Sequence, residues 1–426
     1  MRLVEELYFN RKPDSIKSDY GKALIIGGSK KYPNAPLISS MFCETSGAGY
    51  VALSVPQGIY QLAINRLSLN AICEDLGLGD DFSIDNIDTI KRYDSVLFGN
   101  GVNQSLENKA FLTELIKYAK ALVIDGTGLS IVAEYPQILA RTSHNKILLT
   151  PHIGELKRLL KIDSVSRNPK DYLEQTQEFC LKYQVNILIK SNTSILVLED
   201  GTYKESNYPS TPSLARAGSG DALAGFITGL LAYGTKKLSF TDVVLGADLL
   251  FHVSALNLSL EYGDGLLTAP LLNSYLIKLI RESKKSYYLA YGSNLNLNKM
   301  KDRAPSAKKV GSTILKGYKL KSYKYLDLKK DPSSLALVGV FSYDLKDEIL
   351  LDKYEDYPRL YHKEEIPFLL DNKYQIGLIY FMNTPDDTKP SQEYVKECLE
   401  GYRDFSFPED KLLEVFKETG FSDERN

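Results

Sequence analysis

With 426 residues, 43% of them hydrophobic and 25% charged, the chain is long enough for two or three ordinary globular domains. A formal net charge of −2 gives no general polyanion-binding surface, so nucleic acid is not expected as a partner. Four histidines and four scattered cysteines (Cys43, Cys73, Cys180, Cys398) without a CxxC pair argue for reduced thiols in a cytoplasmic protein, against a disulfide framework or a protein-held metal site.

The first residues, MRLVEELYFN, carry charge within their apolar part and lack a signal-peptide core. No apolar run of bilayer-spanning length is expected, hence no membrane partner. Residues 21–28 (Gly-Lys-Ala-Leu-Ile-Ile-Gly-Gly) read as a buried strand running into a glycine turn. A polar loop leads to a helix expected from Pro36 to about Ser46. Residues 50–55, 95–98, 122–124, 147–149, 185–189 and 194–198 read as strands, and 106–119 and 155–160 as helices. Strands alternating with helices predict an α/β domain on a largely parallel sheet covered on both faces. In such sheets ligands bind beyond the carboxyl ends of the strands. Gly27-Gly28, Gly99-Asn100-Gly101, Asp125-Gly126, Thr150-Pro151-His152 and Lys190-Ser191 each follow a strand, so they are expected on one edge.

Gly218-Ser219-Gly220-Asp221 is expected to join them. Leu223, Phe226, Ile227, Leu230 and Leu231 follow with helical spacing. A small-residue turn that opens a helix presents free N–H groups at the positive end of the dipole, and these bind anions. Asp221 in the first helical turn can serve as a base; the alternative is an ordinary glycine-rich start with Asp221 as its cap.

Residues 281–286 (Arg-Glu-Ser-Lys-Lys-Ser) read as a short linker. Beyond it, strands at 287–291, 309–321, 336–343, 360–367 and 375–382 and helices at 345–354, 394–401 and 411–419 predict a smaller α+β unit on a mostly antiparallel sheet.

Residues 1–280 resemble the ADP- or ATP-dependent NAD(P)H-hydrate dehydratases, a branch of the ribokinase-like fold. The resemblance is carried by Gly27-Gly28-Ser29 with Asn34-Ala35-Pro36, by Gly47-Ala48-Gly49, by Thr150-Pro151-His152-x-Gly154-Glu155, and by Ala217-Gly218-Ser219-Gly220-Asp221 with Leu223-Ala224-Gly225. It implies a carbon–oxygen lyase that repairs NADH hydrate and NADPH hydrate. The hydroxyl of the damaged ring is phosphorylated from ADP or ATP, with Mg²⁺ accompanying the nucleotide, and phosphate is then eliminated. By the same resemblance Ala35, Gly101 and His152 contact the hydrate. Lys190, Ser191, Asn192, Thr193, Ser194, Gly218 and Gly220 serve the nucleotide, and Asp221 is the base. Other roles stand beside these: His152 as a donor to loop carbonyls, Lys190 as a solvated charge, and Ala35 and Gly101 as residues small for packing alone. The chain departs from the family pattern at Gly99-Asn100-Gly101-Val102-Asn103 (usually Gly-Pro-Gly-Leu-Gly), at Asp125-Gly126-Thr127-Gly128-Leu129 (usually Asp-Ala-Asp-Ala-Leu), at Ser191 and at Ala217, both usually glycine.

Residues 287–426 resemble the gamma-glutamylcyclotransferase-like family, through Tyr291-Gly292-Ser293-Asn294-Leu295 and through Leu351-Asp352-x-x-Glu355-Asp356-Tyr357-Pro358 with Tyr361. The resemblance implies cyclisation of a gamma-glutamyl amine or peptide to 5-oxoproline, with Glu355 as the proton-transfer group. It makes Tyr291, Gly292, Ser293, Asn294, Leu295 and Asn296 the substrate-binding turn and Tyr394 a hydroxyl contact. The alternative for Glu355 is a solvated charge at a helix end. A competing view of the whole chain is a small-molecule kinase of the ribokinase-like fold with a non-catalytic C-terminal ligand-binding module. Either is compatible with a homo-oligomer.

Overall fold

Short apolar runs buried on both faces make the strands of the N-terminal unit. The structure, a computed structural model, describes residues 2–68, 70–140, 145–191, 193–209 and 211–421. Lys22–Ile26 (β1), Tyr50–Ser54 (β2), Ile72–Cys73 (β3), Ser95–Phe98 (β4), Ala121–Ile124 (β5), Lys146–Leu149 (β6), Asn186–Ile189 (β7), Thr193–Val197 (β8) and Tyr203–Asn207 (β9) form one sheet. Its order is β9-β8-β7-β6-β5-β4-β1-β2-β3. Every neighbouring pair from β3 to β7 is parallel, and β7–β8 and β8–β9 are antiparallel. The sheet is therefore largely parallel, as expected. The edge strand β9 is missing from the sequence reading because Tyr-Lys-Glu-Ser-Asn shows no apolar alternation.

Helices Ala35–Thr45 and Ser219–Leu231 lie in close contact: a Cβ on Gly225 would meet the Ser39 carbonyl oxygen at 2.1 Å. Phe82, Phe98 and Phe111 fill part of the core, with ring centroids 5.5 Å (Phe82–Phe111) and 5.9 Å (Phe98–Phe111) apart. Helices Thr127–Glu134, Leu173–Tyr183 and Phe240–Tyr262 lie outside the elements expected. Phe240–Tyr262 is long and apolar enough, by length and composition, to cross a membrane, which corrects the expectation that no such run exists. Of its most apolar window 78% is buried in the protein, as in a core helix.

The chain divides into Glu6–Leu279 and a second unit, Ile280–Asn426 with Met1–Glu5. Helix Ala269–Glu282 and strand Ser286–Ala290 (β10) leave only residues 283–285 between them, so the linker expected at 281–286 is shorter than it reads. Lys308–Ser322 (β11), Leu326–Tyr343 (β12), Tyr361–Leu370 (β13) and Lys373–Met382 (β14) complete a sheet of order β11-β12-β10-β14-β13. Only β10–β14 is parallel, matching the mostly antiparallel sheet expected. β12 starts at Leu326 rather than 336 because its first half pairs with β11 in a long hairpin.

Candidate functional site

The carboxyl ends of β1, β4, β5, β6 and β7 meet on one edge. Backbone bonds stitch them together: Gly28 N–H donates to Asn100 O at 2.8 Å, Thr150 N–H to Ile124 O at 3.2 Å, and Lys190 N–H to Pro151 O at 2.9 Å. Asp125, buried just past β5, is the hub. Its carboxylate accepts from Thr150 Oγ1 at 2.8 Å and Lys190 Nζ at 2.6 Å, and Asn100 Nδ2 lies at 3.3 Å. The same Asn100 Nδ2 donates to Asp221 Oδ1 at 2.5 Å. A Cβ on Gly220 would meet Lys190 Nζ at 3.1 Å. Lys190, Gly220 and Asp221 are thus brought together, as the sequence reading requires.

Burial raises the pKa of Asp221, and the Asp125 charge adds to the rise. Asn100 and Lys190 oppose it, leaving a value of about 6 against an ordinary 3.8. The carboxylate is ionised at neutral pH and is a stronger base than a free aspartate. Burial works against the charge on Lys190, but Asp125, Glu155 and Asp221 outweigh it and its pKa is raised. Lys190 is therefore a paired, nearly enclosed cation rather than a solvated one. Asp221 is not the helix cap either: that position belongs to Gly218, whose φ of 95° is natural to glycine.

His152 Nδ1 accepts from Gly154 N–H at 3.0 Å and Glu155 N–H at 3.3 Å, and Glu155 Oε2 accepts from His152 N–H at 3.0 Å. This reciprocal cap fixes the ring while leaving it exposed beside the backbone of Lys190, with which His152 pairs. A Cβ on Gly101 would meet Ala35 Cβ at 3.2 Å, so these two small residues face each other. Ser191 Oγ donates to Thr193 O at 2.5 Å and Ser194 Oγ to Ser191 O at 3.0 Å. The hydroxyls of Ser191 and Ser194 turn inward on the loop's own backbone; Asn192 lies outside the described residues. Asn100, Asp125, Thr150 and Glu155 were not singled out as site residues from sequence, although the first three stand in the expected strand-end loops and Glu155 in the Thr-Pro-His motif. Among the described residues no group of three or more His, Cys, Asp or Glu side chains could hold a metal ion.

The second unit encloses a cavity of about 700 Å³ whose wall includes Tyr291, Gly292, Ser293, Asn294, Glu355 and Tyr394. Glu355 Oε1 accepts from Asn294 Nδ2 at 2.6 Å. Asn294 is held in turn by Arg303, whose Nη1 donates to its Oδ1 at 2.8 Å. Arg303 also pairs with Glu397 at 2.5 Å and lies over the Tyr354 ring. Burial pushes the Glu355 carboxyl up to about 7, against the opposing pull of Arg303, Asn294 and Tyr288. A free surface carboxylate would show neither feature. Tyr394 OH accepts from Leu326 N–H at 3.0 Å and lies 3.3 Å from where a Cβ on Gly292 would stand. Asp356, where the family often has glycine, adopts a left-handed φ of 51°.

Two expectations fail here. Leu295 is a fully buried core residue. Asn296 caps helix Leu297–Arg303 through its side-chain oxygen and donates to Glu400 Oε2 at 2.9 Å. Neither lines the cavity. Their N–H groups are taken by the carbonyls of Gly292 and Ser293, because the turn winds into a 3₁₀ helix at this point. Tyr288 and Arg303 are the residues the sequence reading missed.

Residues 288–398 match the family described as gamma-glutamyl cyclotransferase, AIG2-like, and residues 23–278 the family described as NAD(P)H-hydrate dehydratase. The bifunctional NAD(P)H-hydrate repair enzyme Nnr of Salinibacter ruber is 29% identical over 242 residues, 55% of this chain and 44% of the relative. The ADP-dependent (S)-NAD(P)H-hydrate dehydratase of Nitrosopumilus maritimus is 29% identical over 244 residues, 55% of this chain and 81% of the relative. The chain spans about half the length of the first curated relatives it matches. The fold is shared with the ADP/ATP-dependent NAD(P)H-hydrate dehydratase of Bacillus subtilis co-crystallized with ATP/Mg²⁺, at TM-score 0.55 and 22% identity, over 66% of this chain and 95% of that one. More than half of the sequence lies within the match over residues 23–278, and the chain belongs to the NAD(P)H-hydrate dehydratase family.

Proposed function

We propose that the N-terminal unit restores NADH and NADPH from their hydrates at the expense of ADP or ATP. The observation that carries this is the junction of Asn100, Asp125, Lys190 and Asp221 beside the first turn of helix Ser219–Leu231. Asp221 takes the proton of the ring hydroxyl as its oxygen attacks the terminal phosphoryl group. Lys190 and the amides of the Gly218–Gly220 turn stabilise the charge on the moving phosphoryl oxygens. Phosphate then leaves together with a ring proton, and the reduced nicotinamide is regained. Mg²⁺ bound with the nucleotide would supply neutralisation of phosphate charge. The site fits an ion held mainly by phosphate oxygens, because Asp125 is already bonded to Thr150 and Lys190 and Asp221 to Asn100, and among the described residues no cluster of three metal-ligating side chains stands there. We place the activity in the cytoplasm, where the four free cysteines stay reduced.

In the C-terminal unit Glu355 is assigned as the base that frees the amine of a gamma-glutamyl substrate. The amine attacks the gamma-carbonyl, and the proton passes to the leaving nitrogen. The amides at the start of the 291–294 turn would meet the developing oxyanion.

Purified protein is to be incubated with NADH hydrate and ADP or ATP while NADH absorbance is followed. Recovery with release of orthophosphate is expected. Accumulation of a phosphorylated hydrate without orthophosphate would make the unit a kinase instead.

A further inference from the structure

A second cavity of about 680 Å³ opens on the other flank of the Gly218–Ser219 turn, bounded by helix Ala35–Thr45, residues 66–68 and residues 267–272. Most of its floor is apolar, but two buried polar groups line it without partners. Ser40 is 1% exposed and its hydroxyl has no hydrogen-bond partner among the described residues. Glu44 Oε1 is likewise buried and unpaired, while Glu44 Oε2 accepts from Ser68 Oγ at 2.7 Å. Spaced i, i+4, the two share one face of the helix. Buried polar groups are almost always satisfied, so such a pair marks a place where something else supplies the bond. A carboxylate oxygen wants a donor, and a serine hydroxyl can accept one too. A flat apolar group bearing an amine suits this cavity. Arg66 and Arg216, which also line it, suit phosphate.

The turn itself decides which reactant enters. A Cβ on Gly220 would face Lys190, whereas a Cβ on Gly218 would meet Ile38 Cδ1 at 3.0 Å. On the dehydratase proposal the phosphoryl donor takes the Lys190 flank, which leaves the Ile38 flank to the other reactant. Ala35 faces Gly101 on the ring side, and the preceding residue, Asn34, already lines the cavity. Ser40 and Glu44 then stand about 7.5 and 13.5 Å beyond Ala35 along the helix, at roughly 1.5 Å per residue.

We propose that this cavity receives the adenosine half of the hydrated dinucleotide, the purine amine meeting Glu44 and Ser40 and the diphosphate meeting Arg66 and Arg216. This rests on the dehydratase proposal above for the identity of the substrate. Two measurements separate the claims. In the first, KM for NADH hydrate in Glu44→Gln and Ser40→Ala is expected to rise about tenfold with kcat retained, the scale of one hydrogen bond to a buried charged group. KM for ADP or ATP should stay constant, and the hydrate of reduced nicotinamide mononucleotide, which lacks the adenosine half, should be turned over equally by variant and parent. A rise in the donor's KM, or equal loss with the truncated substrate, would overturn the assignment. In the second, ADP-ribose is titrated calorimetrically into the protein saturated with ADP. Binding that weakens in Glu44→Gln supports the cavity even where no turnover is found, whereas no binding by the parent protein refutes it whatever the turnover.

Discussion

The side-chain amide of Asn100 donates to Asp221 Oδ1 across 2.5 Å, although 121 positions separate the two in the chain. The bond favours the charged carboxylate and so lowers a pKa that burial drives upward. If Asp221 must be ionised to act, kcat/KM falls as pH drops through about 6. Asn100→Ala removes a stabiliser of the charge, so the acid limb should move to higher pH, and activity at alkaline pH should suffer less than at neutrality. A pH–rate profile with the limb unmoved would sink this role for Asn100.

Asp221→Asn should cut kcat by about 10²–10⁴, the span of general-base catalysis. It should also stabilise the protein. With a folded pKa of about 6 against 3.8, the native state holds the Asp221 proton more tightly than the unfolded state does. The resulting stability is complete below about pH 4 and is lost as pH rises through about 6. At pH 7 the variant, free of that loss, should therefore gain about 1–3 kcal/mol over the parent, and the gain should fade in acid. Urea unfolding of both proteins at pH 4 and pH 7 checks the sign.

Glu355→Gln should abolish 5-oxoproline formation while ligand still binds; unchanged turnover would return Glu355 to a bystander. Arg303 favours the charged form of Glu355, so Arg303→Met should shift the acid limb of that activity upward from about 7. The same change leaves Glu397, its partner at 2.5 Å, with only the more exposed Lys299 at 3.9 Å, so a loss of stability of about 1–3 kcal/mol is expected. Thermal melts alongside pH profiles read both effects.

Gly225→Ala places a methyl against a backbone carbonyl, Ser39 O, that is only 2.1 Å away. Helices Ala35–Thr45 and Ser219–Leu231 must part, at about 1–3 kcal/mol. Ser39 Oγ donates to Asp221 O at 3.0 Å, so the displacement should reach the proposed base and lower kcat as well as the melting temperature. A lower melting temperature with unchanged kcat would uncouple the packing from the site.

Periodicity and punctuation made most of the architecture legible. The parallel strands were readable because each is a compact apolar run, and their loops because glycine, proline and polar residues cluster after them. β9 was not, since an edge strand needs no apolar face on its solvent side. The helix Phe240–Tyr262 carries apolar residues all round, so no amphipathic stripe marks it. At the sites, Asp221, Lys190 and Glu355 were found through motifs. Asn100, Asp125 and Arg303 act by reaching residues far off in sequence, which spacing alone does not reveal. Asn100 in fact stands where the resemblance leads one to expect proline, a residue with no amide to offer. Leu295 and Asn296 were overassigned because a motif of consecutive letters says nothing of where a 3₁₀ turn buries its last members.

A parallel sheet brings the polypeptide back to the same rim after every crossover, so Lys190, on the loop proposed for the donor, and Asp221, the proposed base, reach their junction on separate segments. Each can be exchanged while its counterpart stays put. If the proposed roles hold, altering which phosphate compound is consumed should therefore need only local replacement at the Lys190 loop, leaving Asp221 and its partners in place, a modularity that a site strung along one contiguous peptide would lack.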